Sequence, residues 1–303
     1  MTVSNGNDNG HAKPLRFLIW GQEGWIAGKL KALLQDQGRD VHVTAVRMEN
    51  REAVVRELAR VEPTHVLNAA GCTGRPNVDW CEDNKEETIR SNVIGTLNLT
   101  DCCFQAGVHC TVFATGCIYH YDDAHPVGGP GFTEEDEPNF QGSFYSLTKG
   151  CLETVMKHYS NCLILRLRMP VGDDLHPRSF VTKIASYDRI VDIPNSHSML
   201  HDLLPAAILL AKHEEVGVYN FTNPGAISHN QVLDLFKEIV RPDLTYKNFS
   251  VEEQANILKA GRSNCELQTA KLMAKLAEFG YEIPDIHDAY RQCFERMKAA
   301  GVE

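Results

Sequence analysis

Gly21-Gln-Glu-Gly24-Trp-Ile-Ala27-Gly28 stands between an apolar run at residues 15–20 and a segment at 24–37 whose apolar residues recur with helical spacing. The pattern is G-x-x-G-x-x-A on a strand-to-helix turn. Glycine lets the chain turn tightly and lets a diphosphate approach the backbone. The helix behind it offers unpaired N–H groups and the positive end of its dipole. The third position needs only a small side chain for helix–strand packing, which Ala27 supplies. In isolation, a tight turn without a ligand would read the same.

The flanking chain favours a nucleotide. Strand-like runs at 41–46, 65–70, 110–115 and 163–169 alternate with helical periodicity at 50–61, 85–106 and 143–159. Strands separated by helices of that length require crossover connections and a parallel sheet covered on both faces. The expected fold is α/β: a Rossmann-type doubly wound parallel sheet with a smaller, interleaved C-terminal α/β substrate lobe. Residues 14–170 are expected to form the dinucleotide-binding domain, with a return segment near 187–215. Residues 171–186 and 216–303 form the lobe, which includes a short strand at 216–221 and helices at 228–240, 269–278 and 287–299. The polar residues 1–13 read as a disordered lead.

Composition narrows the function. Thirty Lys and Arg against forty Asp and Glu leave a net charge of −10, which offers no footprint for a phosphate backbone. No apolar stretch approaches the ~20 residues of a membrane span, and the N-terminus has no apolar signal core. The ten cysteines form no C-x-x-C pair, and the thirteen histidines show no zinc-site spacing. A soluble cytoplasmic protein with reduced thiols and no metal, nucleic-acid or membrane partner is expected.

Arg47 follows the second strand where an acidic residue would hold the ribose 2′-hydroxyl of NAD, and an arginine there accommodates the 2′-phosphate of NADP. Tyr145 and Lys149 lie four apart on one helical face, so the ammonium can stand near the phenol and lower its pKa. Thr115 ends the preceding strand. If that strand stays extended, Cys117 points the same way as Thr115; as an isolated thiol it would equally read as core.

This constellation resembles the extended short-chain dehydrogenase/reductase superfamily. Longer strings are more specific: Asn68-Ala-Ala-Gly-Cys-Thr-Gly-Arg-Pro-Asn-Val-Asp-Trp-Cys-Glu82, Ala114-Thr-Gly-Cys-Ile118, Pro138-Asn-Phe-Gln-Gly-Ser-Phe-Tyr-Ser-Leu-Thr-Lys149, Val191-Asp-Ile-Pro-Asn195 and Tyr219-Asn-Phe-Thr-Asn-Pro-Gly225. Over about residues 15–280 they resemble the bifunctional nucleotide-rhamnose synthase/epimerase-reductase family, which acts on UDP-4-keto-6-deoxyglucose. The similarity to dTDP-4-dehydrorhamnose reductase and GDP-fucose synthase is more distant.

The resemblance implies NADPH-dependent 3,5-epimerisation and 4-reduction of a UDP- or dTDP-4-keto-6-deoxyglucose to the L-rhamnose nucleotide. In reduction Tyr145 gives the proton, Lys149 tunes it and binds the nicotinamide ribose, and Thr115 bonds the sugar oxygen. In epimerisation Cys117 and Lys183 serve as the acid/base pair, since one group rarely serves both faces of a carbon. The cofactor residues implied are Gly21, Glu23, Gly24, Trp25, Ile26, Arg47, Asn68, Ala69, Ala70 and Asn92, with Tyr145 and Lys149. Thr73, Arg75, Asn77, Trp80, Asn195 and Arg262 are expected at the substrate, Arg262 on its diphosphate. Relatives are often dimers, so a homodimer is allowed. The rival readings are a 4-reductase alone and a non-catalytic NADP-binding regulatory subunit.

Overall fold

The computed structural model describes residues 14–75 and 77–302; the lead read at 1–13 lies outside them. The first five strands are β1 (Arg16–Trp20), β2 (Asp40–Thr44), β3 (His65–Asn68), β4 (His109–Thr115) and β5 (Cys162–Leu167). Two short strands, β6 (Arg189–Ile190) and β7 (Pro194–Asn195), stand outside the main sheet, and β8 (Gly217–Asn220) rejoins it. The order is β2-β1-β3-β4-β5-β8, with every pair parallel. This is the expected Rossmann-type sheet.

The crossovers are α1 (Trp25–Asp36), α2 (Arg51–Val61), α3 (Trp80–Asp83), α4 (Lys85–Thr88), α5 (Thr96–Gln105) and α6 (Phe144–Met156). Side chains alternate across the strands. Phe17 and Ile19 face α1 and α8 (Leu200–Lys212, preceded by α7 at Phe180–Ile184), where Leu30, Leu34, Leu203 and Leu210 cover them. On the other face Leu18, Val66 and Ile164 meet Val54 of α2, Leu99 of α5 and Leu152 of α6. A separate cluster packs α7, α9 (His229–Ile239) and α12 (Ile286–Ala299) around Phe236, Tyr290 and Phe294. β9 (Ile227–Ser228), β10 (Lys247–Asn248), α10 (Val251–Ile257) and α11 (Ala270–Glu278) complete the chain.

Three features differ from the sequence reading. The strand at 216–221, assigned there to the smaller lobe, is β8 of the main sheet, because the outer backbone groups of β5 take it as a parallel neighbour. Leu272 and Leu276 of α11 likewise sit in the main core. The helix read over 85–106 contains a π-helical stretch, Ile89–Gly95, which rotates Asn92 inward until it is fully buried. Finally, α8 has no counterpart in the sequence reading. Pro205 lies inside it and apolar residues surround it on most sides, so no amphipathic stripe marks it.

Candidate active site

The C-terminal ends of β1, β3 and β4 converge with the start of α6. The first turn of α6 is built in two ways. Ser143 caps it, with Oγ accepting from Ser146 N–H at 3.0 Å, and Glu82 of α3 accepts from Phe144 N–H at 2.7 Å. A cap of this kind contributes about 1 kcal/mol, and a carboxylate suits a helix N-terminus. Farther along the same helix, Glu153 forms a buried ion pair with Arg166 of β5 at 2.6 Å, which fixes how α6 lies on the sheet.

Tyr145, Lys149 and Thr115 all end up buried in this corner. The Thr115 hydroxyl is near enough to the Tyr145 phenol to act on it, and Lys149 Nζ stands 5.9 Å from the Tyr145 ring centre. The expected lowering of the phenol by Lys149 is not met. Burial raises Tyr145 above its ordinary value, with the thiol of Cys117 adding to the effect and Thr115 opposing it. Burial also acts on Lys149, lowering it to about 8. Desolvation therefore dominates both groups, leaving a neutral phenol suited to giving a proton and an ammonium ready to lose one.

The dinucleotide loop lies beside them. Gly21 adopts φ +102°, and a Cβ there would stand 3.0 Å from Ala70 N and 3.1 Å from the Ala69 carbonyl carbon. A Cβ on Gly24 would stand 2.9 Å from the Gly21 carbonyl oxygen, so both glycines are required by close approach. Ala27 is buried, as its packing role demands, while Glu23 is exposed. Trp25 begins α1, but its side chain turns away. Its Nε1 donates to Asp174 at 2.9 Å and its ring stacks on His176 at 4.9 Å, leaving the backbones of Trp25 and Ile26 for a phosphate. Arg47 is exposed beyond β2, with Nε paired to Glu49 at 3.0 Å.

These residues fit NADPH. Asn68 is buried at the end of β3 with Nδ2 unpartnered, and its Oδ1 accepts from Ala70 N–H at 3.1 Å. Lys149 Nζ lies 3.8 Å from where a Cβ on Gly71 would sit, so the ammonium faces the same loop. Asn92 grips the backbone of Cys72 and braces that loop. Among the described residues no cluster of three or more His, Cys, Asp or Glu is placed to hold a metal ion.

β4 ends at Thr115, so the extended geometry assumed for Cys117 does not hold. The chain turns, and Cys117 N–H donates to Thr115 Oγ1 at 3.1 Å. The turn still leaves the half-buried Cys117 sulfur close enough to Tyr145 for its charge to act on the phenol. Lys183 is carried by α7 rather than by β4 or α6. It sits half-buried on α7, lowered from its ordinary pKa by burial and by the neighbouring Arg178. Arg178 donates to Thr73 at 3.1 Å, tying α7 to the loop after β3.

The expected substrate residues divide. Thr73 accepts from Arg178, and Arg75 is exposed beside it. Trp80 packs on Gly74, where φ is +70° and a Cβ would meet Trp80 Cβ at 2.4 Å. Asn77 shapes the same loop, with Oδ1 accepting from Asp79 N–H at 2.8 Å. Asn195 is a correction. It is completely buried, and its carboxamide is engaged by Arg168, Cys265 and Asn264, so it is a structural node with nothing left for a ligand. Arg262 pairs with Asp79 at 2.9 Å through Nη1 and borders a cavity of about 50 Å³ beside α10.

The model of the NAD dependent epimerase/dehydratase family matches residues 17–190. The chain belongs to this family. A bifunctional dTDP-4-dehydrorhamnose 3,5-epimerase/dTDP-4-dehydrorhamnose reductase of Arabidopsis thaliana is 51% identical over 264 residues, covering 86% of this chain and 88% of that protein. A trifunctional UDP-glucose 4,6-dehydratase/UDP-4-keto-6-deoxy-D-glucose 3,5-epimerase/UDP-4-keto-L-rhamnose-reductase of the same plant is 49% identical over 92% of this chain. The chain spans only 42% of that relative's length. The crystal structure of the L780 UDP-rhamnose synthase of Acanthamoeba polyphaga mimivirus superimposes with a TM-score of 0.88. It is 38% identical and covers 93% of this chain and 99% of that one. Within the epimerase/dehydratase family match fall all the residues from Gly21 to Lys183 described above; Asn195 and Arg262 lie beyond it. The sequence reading gives Glu82, Arg168 and Arg178 no role, because their partners are distant in the chain and no local spacing marks them.

Proposed function

We propose that the chain is an NADPH-dependent bifunctional enzyme that converts a UDP- or dTDP-4-keto-6-deoxyglucose to the L-rhamnose nucleotide by 3,5-epimerisation and 4-reduction. The observation that carries this reading is the meeting of Thr115, Cys117, Tyr145 and Lys149 where β4 ends, in a chain with the relatives named above. The dehydratase in the trifunctional relative's name is no part of it.

Bound NADPH supplies the hydride that reduces C4. The side chains do the rest. Tyr145, kept protonated by burial, gives its proton to the growing alkoxide at O4, and Thr115 holds phenol and sugar oxygen in line. Lys149 binds the ribose hydroxyls, and a pKa of about 8 lets it return a proton to Tyr145. Epimerisation uses the 4-ketone as electron sink. The Cys117 thiolate takes the proton from C3 or C5, the C–H electrons move onto O4 as an enolate, and a proton is returned to the opposite face. Lys183 is the partner acid, and the Arg178 charge beside it eases release of its proton.

The loop at 21–26 and the end of β3 are assigned to the cofactor, with Arg47 on the 2′-phosphate, and Thr73, Arg75, Asn77, Trp80 and Arg262 to the substrate. No helix among the described residues is long and apolar enough to cross a membrane. Ten unpaired cysteines support a reducing compartment, the cytoplasm. Homodimerisation is carried over from the resemblance.

One incubation tests the reading: pure protein, UDP-4-keto-6-deoxyglucose and NADPH in heavy water, followed by absorbance and product NMR. A rhamnosyl product with deuterium at C3 and C5 is expected. An undeuterated D-configured 6-deoxy sugar would leave a 4-reductase alone. No turnover with NADPH bound would leave a regulatory subunit.

A further inference from the structure

Arg168 follows β5 directly and is 1% exposed. A guanidinium taken that far out of water needs partners, and here they come from three segments. Nη1 donates to the Gly116 carbonyl at 3.0 Å and to Ser263 Oγ at 2.7 Å. Nη2 donates to Asn195 Oδ1 at 2.5 Å and to the Ser263 carbonyl at 3.1 Å. Ser263 Oγ in turn donates to the Tyr119 carbonyl at 2.6 Å. The one guanidinium therefore holds the chain on both sides of Cys117: directly at the residue before it, and through Ser263 at the second residue after it.

Packing confirms the clamp. A Cβ on Gly116 would stand 2.6 Å from Leu267 Cδ1 and 3.0 Å from Arg168 Cγ, so the turn is pressed onto the arginine stem. Two cysteines lie near the cation: burial opposes the charge of Arg168, and Cys265 and Cys117, where ionised, favour it. Cys265 is fully buried and pushed up to about 11, so near neutrality it stays a thiol. Cys117 is the half-buried one of the two.

We propose that Arg168 is a positioning residue for Cys117: it fixes the turn at 116–119 and keeps a positive charge beside the sulfur, so that epimerisation depends on it far more than 4-reduction does. The inference rests on the assignment of proton abstraction to Cys117. Abstraction from carbon needs a thiolate, which a neighbouring cation favours. Reduction needs a neutral phenol, which no partner of Arg168 supplies.

The test compares two rates in NADP-loaded enzyme. One is deuterium uptake at C3 and C5 of UDP-4-keto-6-deoxyglucose in heavy water with NADP⁺, across pH. The other is NADPH-dependent reduction of the already epimerised 4-keto-L-rhamnose nucleotide. Arg168→Gln is expected to lower uptake at least about tenfold more than reduction and to move the acid limb of the uptake profile to higher pH. Arg168→Lys should bring the limb part of the way back. Equal loss of both rates, or an unmoved limb, overturns the proposal. Should Arg168→Gln fail to fold, as judged by NADPH binding and near-UV circular dichroism, Gly116→Ala carries the test. It keeps every charge and pushes the turn off the arginine; uptake should fall relative to reduction, and an unchanged ratio of the two rates overturns the proposal. A parent enzyme that takes up no deuterium overturns the functional reading as well, and is told apart because the fault lies in the parent.

Discussion

Asn92 holds both backbone groups of Cys72 with one side chain: Oδ1 accepts from the Cys72 N–H at 2.7 Å, and Nδ2 donates to its carbonyl at 2.7 Å. The π-helical stretch at Ile89–Gly95 carries Asn92 inward, and the loop it grips is the one that faces Lys149. Asn92→Ala strands a backbone donor and a backbone acceptor, each costing about 1–3 kcal/mol where water cannot reach. The expected result is a lower urea midpoint together with weaker NADPH binding, read by denaturation and by nicotinamide fluorescence.

Arg47 is exposed and lends only Nε to Glu49. Its terminal nitrogens suit a 2′-phosphate, and charge-assisted bonds of that kind contribute about 1.5–3 kcal/mol. Arg47→Ala should therefore raise the Kd for NADPH by about tenfold or more and leave that for NADH nearly unchanged. Equal weakening of both would remove Arg47 from the phosphate.

Glu153, on the helix that carries Tyr145 and Lys149, accepts a buried bidentate pair of bonds from Arg166 of β5, at 2.6 Å on Oε1 and 3.2 Å on Oε2. Removing one partner leaves the other charge unpaired, which costs about 3–5 kcal/mol. Glu153→Gln should lower thermal stability sharply, and Glu153→Gln combined with Arg166→Met should recover part of the loss.

Stability should fall as the solution is acidified. Burial lowers His65 and His229 to about 4, below the ordinary histidine value of 6.5. Above pH 6.5 both are neutral whether the chain is folded or not. Between 6.5 and 4 the unfolded chain binds protons that the folded one refuses, so stability decreases with falling pH by at most about 3 kcal/mol per residue. Urea denaturation of His229→Gln should show a flatter decline over that window.

The fold was readable because its strands, apart from the edge strand β2, are largely buried and stand out as apolar runs, with the crossover helices between them. Gly24, pressed on the Gly21 carbonyl, and the Tyr145–Lys149 pair lie on neighbours close in sequence, which local spacing can mark. What stayed hidden depends on distant residues. β8 joins β5 from some fifty residues away, and the Arg168 clamp needs Gly116, Asn195 and Ser263 together. Asn195 looked available for a ligand because its string is specific; only the fold shows its amide consumed. The raised phenol of Tyr145 reflects burial, which residue spacing does not report.

The central claim is that one site runs two reactions with different proton donors. Its most direct test is the isotope content of the ketone recovered when Tyr145→Phe is incubated with UDP-4-keto-6-deoxyglucose and NADPH in heavy water. The account predicts deuterium at both C3 and C5, with NADPH consumption slowed by about 10²–10⁴-fold. A ketone recovered without deuterium, or reduction at the parental rate, would contradict it.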